Sequence, residues 1–525
     1  MNPFRVTLAA LLVLAAPVLA QAQSRPQQQG QGRGGEKSAL SEEPVAVVAM
    51  PIVEAAGKNT SLLRVNVTYQ AWNFRVPWQK TSPGTRRGLG VLMEKNQILV
   101  TAQIVADATY IELEQADTGQ KLTAKVKAVD YDANLAVLEP ASDPKEFFSA
   151  LKPLAIETSG RIGDKLQVWQ LGRVGDLIIT PLEINKVLTS RYVLDTSHFL
   201  VYETIGIIRS ESNSFTLPVI KNGKLAGLLL RYNSRDQTAT VLPGPIIAHF
   251  LKDIASGDYK GFPSLGVEYQ QTLDEQFREY LGMTKDQQGV YIGEVAKGGS
   301  AESLGMKKGD ILMEMNGYKV DARGDYKDPV FGPVNLSHLV RGNSYVGDKV
   351  SVKVLRDGKE QTLSGKLTRK NPKDYVVWPY LFDRGANFLV MGGLVFQELS
   401  IPYLQSFGEN WETSGPLRLV HIASHADEYE KMGKKKIIFL SGALPTRSTQ
   451  GYGRIGGSIV SKVNGKEIND LSDLDKAFKE PQNLLHTIEL EDFPKIIYLD
   501  AIAAESDNLK LMDVPYRVGT LKRIE

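Results

Sequence analysis

The sequence predicts a mainly β chain in which an all-β domain is followed by two smaller α+β modules. Three observations carry this reading. Short apolar runs separated by turn residues fill the first half, an Asn-Gly turn follows a β run in each of two later segments, and 525 residues suit about three domains.

In order, residues Met1 to Ala22 combine Arg5, an apolar run from Leu8 to Leu19 and the small-x-small sequence Ala20-Gln-Ala22. This pattern predicts a signal peptide over residues 1–22, with no stable membrane span once it is cleaved. Residues 23–44 are rich in Gln, Gly, Ser and charge and read as a disordered linker. Residues 45–257 hold the strand-like runs Leu63–Tyr69, Gly90–Met93, Gln97–Val100, Tyr110–Glu114 and Leu122–Ala128, then a helical close from Pro243 to Ile254. Residues 258–372 and 373–525 form the two α+β modules, with Asn-Gly turns at Asn316-Gly317 and Asn464-Gly465 and a helix expected over Asp470 to Phe478.

Composition narrows the function. A formal net charge of +2 without a long basic cluster excludes nucleic acid as an expected partner, and zero cysteines exclude disulfides and thiol chemistry. No cofactor is expected. His421 and His425 stand four apart beside Asp427 and Glu428, but without a third ligand in a recognised pattern they predict an exposed polar face rather than a metal site.

Gly88-Leu-Gly-Val-Leu92, Ile98 to Val105, Asp132-Ala-Asn-Leu-Ala-Val-Leu138, Glu211 to Gly227 and Val241 to Phe250 occur in the order and spacing of one family. On these motifs the mature chain resembles the HtrA/Deg serine endopeptidases. Pro77-Trp-Gln79 and Gly392 to Leu404 make it similar to the plant-type members. The resemblance implies a trypsin-like double β-barrel, degenerate as a protease domain, followed by two PDZ-like domains, and assembly into homo-oligomers, as trimers or multiples of them.

Carried over by position, the family's catalytic histidine falls on Gln103, its aspartate on Asn134 and its serine on Ser214. A carboxamide cannot act as general base near neutral pH, so Gln103 cannot take the serine proton. Asp132 is a substitute orienter with no histidine to orient, and His198, ahead of the nucleophile loop, reads as structural or exposed. The glycines that shape an oxyanion hole are replaced by Ser212, Phe215 and Thr216, and β-branched Thr216 is expected to be the residue least compatible with a φ > 0 path. These losses predict a pseudoprotease.

Binding then becomes the expected activity. Ser264-Leu265-Gly266-Val267 resembles a PDZ carboxylate-binding loop, and His338 falls where some PDZ domains select a hydroxyl-bearing ligand. Asp321 to Pro333 is an insertion that frames the groove or forms a solvated loop, and Met391 to Val395 occupies the place of the binding loop in the second module. The expected protein is extracytoplasmic, most simply periplasmic, and binds peptide or protein C-termini and unfolded extracytoplasmic proteins as scaffold, adaptor or chaperone. The alternatives are an active serine endopeptidase of protein quality control using Ser214, and a regulatory subunit of an active paralogue.

Overall fold

The structure, a computed structural model, describes residues 55–56, 61–192, 194, 198–208, 216–513 and 516–525. The expected signal peptide, the linker and Ser212 to Phe215, with Ser214 among them, lie outside the described residues. Among the described residues no helix is long and apolar enough to cross a membrane.

Strand content dominates, as the alternating apolar runs require. Leu62–Tyr69, Gly84–Met93, Gln97–Val100, Leu135–Pro140, Lys121–Asp130 and Ala108–Glu114 close into a six-stranded antiparallel barrel. Closure leaves these strands no free edge. Leu63, Val65 and Val67 point inward to Ile98, Ile111 and Leu113. A second ring runs through Leu177–Arg191, His198–Ile205, Thr238–Pro243, Lys224–Asn233, Leu217–Lys221 and Lys165–Leu171, and closes because Leu177–Arg191 is long enough to pair at both ends. The expected helix follows as Gly244–Ala255, entered through Pro243 and Pro245, where the missing N–H costs nothing.

The first α+β unit is a sheet in the order Val267–Gln270, Val290–Val295, Ile311–Met315, Lys349–Arg356 and Lys359–Lys366. The second orders Ile496–Asp500, Leu485–Leu490, Ser458–Val463, Ile438–Ala443, Leu394–Glu398, Phe388–Met391 and Lys522–Arg523. Both Asn-Gly turns close two-residue hairpins, Met315 opposite Tyr318 and Val463 opposite Lys466, with all four turn residues at positive φ. The predicted helix is Leu471–Ala477, with Asp470 accepting the N–H of Asp473 at 2.8 Å as its N-cap.

The first α+β unit is packed onto the second barrel in one continuous core. Phe262 sits edge-to-face on Phe199 at 4.9 Å and stacks on His249 at 4.4 Å, and His249 stacks in turn on Tyr345 at 4.0 Å. Such aromatic pairs add about 0.5–1.5 kcal/mol each beyond buried area. The insertion after Asp321 is not a solvated loop. It forms the hairpin Asp325–Asp328 and Gly332–Asn335, buries Tyr326 and lays its second strand against Leu177–Arg191.

Candidate functional site

Gln103 lies in the short helix Ala102–Val105, and Asn134 lies in the turn between Lys121–Asp130 and Leu135–Pro140. Asn134 Oδ1 accepts the N–H of Gln103 at 3.1 Å, while the Asn134 carbonyl accepts that of Ala102 at 3.1 Å. Asn134 does this from φ +53°, a left-handed conformation asparagine tolerates better than most residues. The two positions are therefore brought together as a rigid pair, with Asn134 buried and the Gln103 side chain exposed. Neither side chain titrates, so the pair supplies no general base.

The third strand of the site arrives through Thr216. The Thr216 hydroxyl accepts the N–H of Thr101 at 2.9 Å and shares a hydrogen bond with the Thr101 hydroxyl at 2.8 Å. Contrary to the expectation from its β-branch, Thr216 adopts φ +53°. The left-handed backbone costs about 1–2 kcal/mol, which two buried hydrogen bonds of about 1 kcal/mol each offset. The glycine-like path is therefore kept at this position by a side chain.

Asp132 is not an orienter. It pairs with Arg369 at 2.9 Å, and Arg369 also meets Asp130 at 3.2 Å. Asp130 accepts the Tyr259 hydroxyl at 2.6 Å and the N–H of Ala133 at 2.7 Å. Burial, and then the neighbouring Asp130 carboxylate, push Asp132 above the usual carboxylate range. This cluster fastens the first barrel to the segment between the two α+β units.

A second fastening reaches the Gln103 helix itself. Asp107 and Asp383 each accept the other's backbone N–H, at 3.0 and 2.7 Å, and Tyr131 stacks on Phe382 at 4.2 Å while donating its hydroxyl to Asp383. Arg86 donates to the carbonyls of Gln103 at 3.1 Å and Ala106 at 2.6 Å.

In the first α+β unit, Gly266 takes φ +74°, and a Cβ there would come within 3.3 Å of Gly299. The carbonyls of the preceding loop all point back into the fold. Ser264 accepts from the Ser300 hydroxyl at 2.6 Å, Leu265 from the Ala301 N–H at 2.8 Å and Gly266 from the Ala296 N–H at 2.9 Å. Among the described residues, no hydrogen bond takes the N–H of Leu265 or of Gly266. The strand that follows, Val267–Gln270, pairs with Val290–Val295 on one side and, among the described residues, with no strand on the other. Its far end is framed by the inserted hairpin, where Asn335 donates to the Tyr269 hydroxyl at 2.7 Å.

His338 lies in the helix Ser337–Arg341, but its ring faces inward, edge-to-face on Phe331 at 5.6 Å, with neither nitrogen hydrogen-bonded among the described residues. Burial pushes this imidazole below its ordinary pKa.

The corresponding strand of the second unit is different. Leu394–Glu398 pairs with Ile438–Ala443 on one edge, and its other edge is already filled by the chain's own Phe388–Met391. Met391 to Val395 is thus a tight hairpin, not an open loop. Gly392 and Gly393 turn it at φ +60° and +105°, and the Gly392 N–H is taken by Asn508 at 2.8 Å. The Gly-Gly pair between two apolar runs was the signal that a hairpin stood here.

Residues 263–367 and residues 377–519 each match a family described as PDZ domain. The chain is 26% identical to "Putative protease Do-like 3, mitochondrial" of Arabidopsis thaliana, over 84% of this chain and 76% of that protein. It is 25% identical to "Protease Do-like 4, mitochondrial" of the same plant, over 87% and 84%. By these matches the chain is similar to the HtrA/Deg proteases. It carries a trypsin-like domain followed by two PDZ domains, and its similarity extends to the plant Do-like proteases. Among solved structures, "HtrA-type protease AlgW with decapeptide" covers 60% of this chain and 97% of that one, with a TM-score of 0.45 and 20% identity.

The remaining histidines lie in other parts of the fold from the Gln103–Asn134 pair. His249 is stacked in the junction with the first PDZ domain, and His198 opens an edge-to-edge strand pairing with Arg191. His486 is held by Asn464 at 3.1 Å in the second PDZ domain. His421 and His425 lie ring to ring at 4.3 Å, and among the described residues no group of three His, Cys, Asp or Glu side chains is placed to hold a metal.

Proposed function

We propose that this HtrA/Deg-family protein is a pseudoprotease that binds the C-termini of other polypeptides through its first PDZ domain. The observation that carries the reading is the committed set of carbonyls at Ser264, Leu265 and Gly266, which leaves the N–H groups of Leu265 and Gly266 for a carboxylate beside an open strand edge. An extended peptide adds to Val267–Gln270 as a strand, and its terminal carboxylate takes the loop N–H groups. The second PDZ domain, whose matching edge is filled by Phe388–Met391, serves as structure.

The non-catalytic half of the reading rests on Gln103 and Asn134. They keep the hydrogen bond that shapes the site while providing no base for Ser214. An extracytoplasmic setting follows from the signal-like residues 1–22, and a role as scaffold, adaptor or chaperone follows from binding without cleavage. The family's homo-oligomeric assembly, as trimers or multiples, is part of the same reading. A second reading, a working endopeptidase, is favoured by one observation, the positive φ that Thr216 preserves next to the nucleophile loop.

The test uses the full mature chain. Fluorescein-labelled peptides with a free C-terminal carboxylate are titrated beside the same peptides as amides. Saturable binding of the acids alone, lost in Gly266→Trp, supports the proposal, and equal binding of acid and amide sinks it. Fluorophosphonate labelling that disappears in Ser214→Ala would instead establish the endopeptidase.

A further inference from the structure

The outer face of the first barrel carries a groove of about 740 Å³ that belongs to neither site described above. Strand register builds it. Arg64, Asn66 and Thr68 alternate outward from Leu62–Tyr69, whereas Leu63, Val65 and Val67 fill the barrel. Across the sheet Asn66 stands between Arg87 and Glu112, and Arg64 stands opposite Glu114, which in turn faces Lys121. The turn that follows Lys165–Leu171 in the second barrel forms a wall, where the carbonyls of Gly172 and Arg173 accept from Arg64 at 2.7 and 2.8 Å.

Both carboxylates of the floor are already answered. Glu114 takes Arg64 at 3.0 Å and Asn66 at 3.1 Å, and Glu112 takes Lys121 at 2.8 Å. Arg86 is drawn away to the Gln103 and Ala106 carbonyls and over the Tyr69 ring. Two cations of the groove remain. Arg87 and Arg173 are exposed, and among the described residues the side chain of neither has an ion pair or a hydrogen bond. The groove therefore holds two positive charges that its own acids do not balance.

We propose that this groove binds an extended acidic segment of another polypeptide, whose carboxylates at alternate positions are taken by Arg87 and Arg173. A guanidinium fork matches a carboxylate with two N–H groups at once. The two forks arise from different rows of the sheet: Arg87 stands in the row of Asn66, and the Arg173 carbonyl meets the row of Arg64, two residues or about 6.5 Å along the strand. Side chains i and i+2 of an extended peptide repeat that spacing on one face. Thr68 and Thr85, opposite each other in the next row, offer hydroxyls that both donate and accept, as a peptide backbone requires. Because the barrel is closed, the incoming chain adds no strand, and side chains alone recognise it. The site reads charge along a chain, whereas the first PDZ domain reads its end.

The experiment measures anisotropy of a fluorescein-labelled, C-terminally amidated peptide of alternating glutamate and threonine with the full mature chain, beside its glutamine counterpart. Saturable binding of the glutamate peptide alone is expected. It should weaken at least about tenfold in Arg87→Ala and in Arg173→Ala, and stay unchanged in Lys285→Ala, which removes an exposed charge from the first PDZ domain. Neither arginine has a partner to lose, so the thermal midpoints of both variants should match the parent. Absence of binding, equal binding of the two peptides, full binding in either arginine variant, or an equal loss in Lys285→Ala overturns the proposal. Displacement of the peptide by a lower concentration of tripolyphosphate assigns the groove to phosphate groups and overturns it. A fall in particle mass by light scattering in the arginine variants assigns the groove to a second copy of this chain and overturns it too.

Discussion

Thr216 and Thr101 are joined twice, hydroxyl to hydroxyl at 2.8 Å and Thr101 N–H to Thr216 hydroxyl at 2.9 Å, with Thr216 held at φ +53°. This link ties the strand that leaves the nucleophile loop to the residue that begins the Gln103 helix. A shape-conserving Thr216→Val removes both bonds and leaves a buried N–H unsatisfied. It should destabilise the chain by about 1–3 kcal/mol, read by urea unfolding, whereas Thr216→Gly regains the conformational freedom and should cost less.

The Gln103–Asn134 bond makes a restoration experiment specific. Because Asn134 Oδ1 already accepts the Gln103 N–H, an aspartate fits the same position and a histidine at 103 stands beside it. If Ser214 is otherwise competent, Gln103→His with Asn134→Asp should raise fluorophosphonate labelling by about 10²-fold or more over the parent, since a positioned base contributes about 10²–10⁴-fold. No increase would place the defect in the backbone of residues 212–215.

Arg369 answers two carboxylates, and the Asp130 side chain is fully buried. Arg369→Ala removes the ion-pair partner of both, leaving Arg341 as the remaining nearby cation, and should cost about 3–5 kcal/mol, measured as a fall in the thermal midpoint. Arg369→Ala combined with Asp132→Asn should recover part of that loss, as a double-mutant cycle would show.

His249 and His338 are both buried neutral, with burial holding each below its ordinary value. A base whose folded pKa is depressed contributes its full stability above the unfolded value of about 6.5. Below it the unfolded chain binds protons that the folded chain refuses, and stability falls. Stability should therefore decline from pH 7 toward pH 5, and His249→Phe with His338→Leu should flatten the slope. An unchanged slope would remove these two residues as its source.

If Phe388–Met391 fills the second groove, Gly266→Trp should remove all binding of free-acid peptides by the whole chain. Residual saturable binding of the same affinity class would mean that the second PDZ domain also takes chain ends.

Several elements were legible from residues alone because local chemistry specifies them. Short apolar runs gave five of the six strands of the first barrel, and Asn-Gly pairs gave two hairpins at Asn316 and Asn464. The spacing of motifs brought Gln103 and Asn134 into correspondence, and the replacement of a titrating side chain by a carboxamide is a fact of composition that no fold alters. Gly266 was readable as a position needing close backbone approach.

Other features depend on which distant segments meet. Thr216 takes a backbone that its own branching disfavours because Thr101, 115 positions away, supplies the compensating bonds. Asp132 faces Arg369 rather than the catalytic positions because the first PDZ domain docks on the second barrel, which also turns His338 inward. The second groove is occupied because the Gly392-Gly393 turn folds Phe388–Met391 back onto Leu394–Glu398. Residue types therefore determined that positions 103 and 134 carry carboxamides rather than titrating side chains and that Gly266 sits at a close backbone approach. Tertiary structure decided which edges and polar groups remain free, since backbone pairing and burial are properties of neighbours that no local pattern encodes.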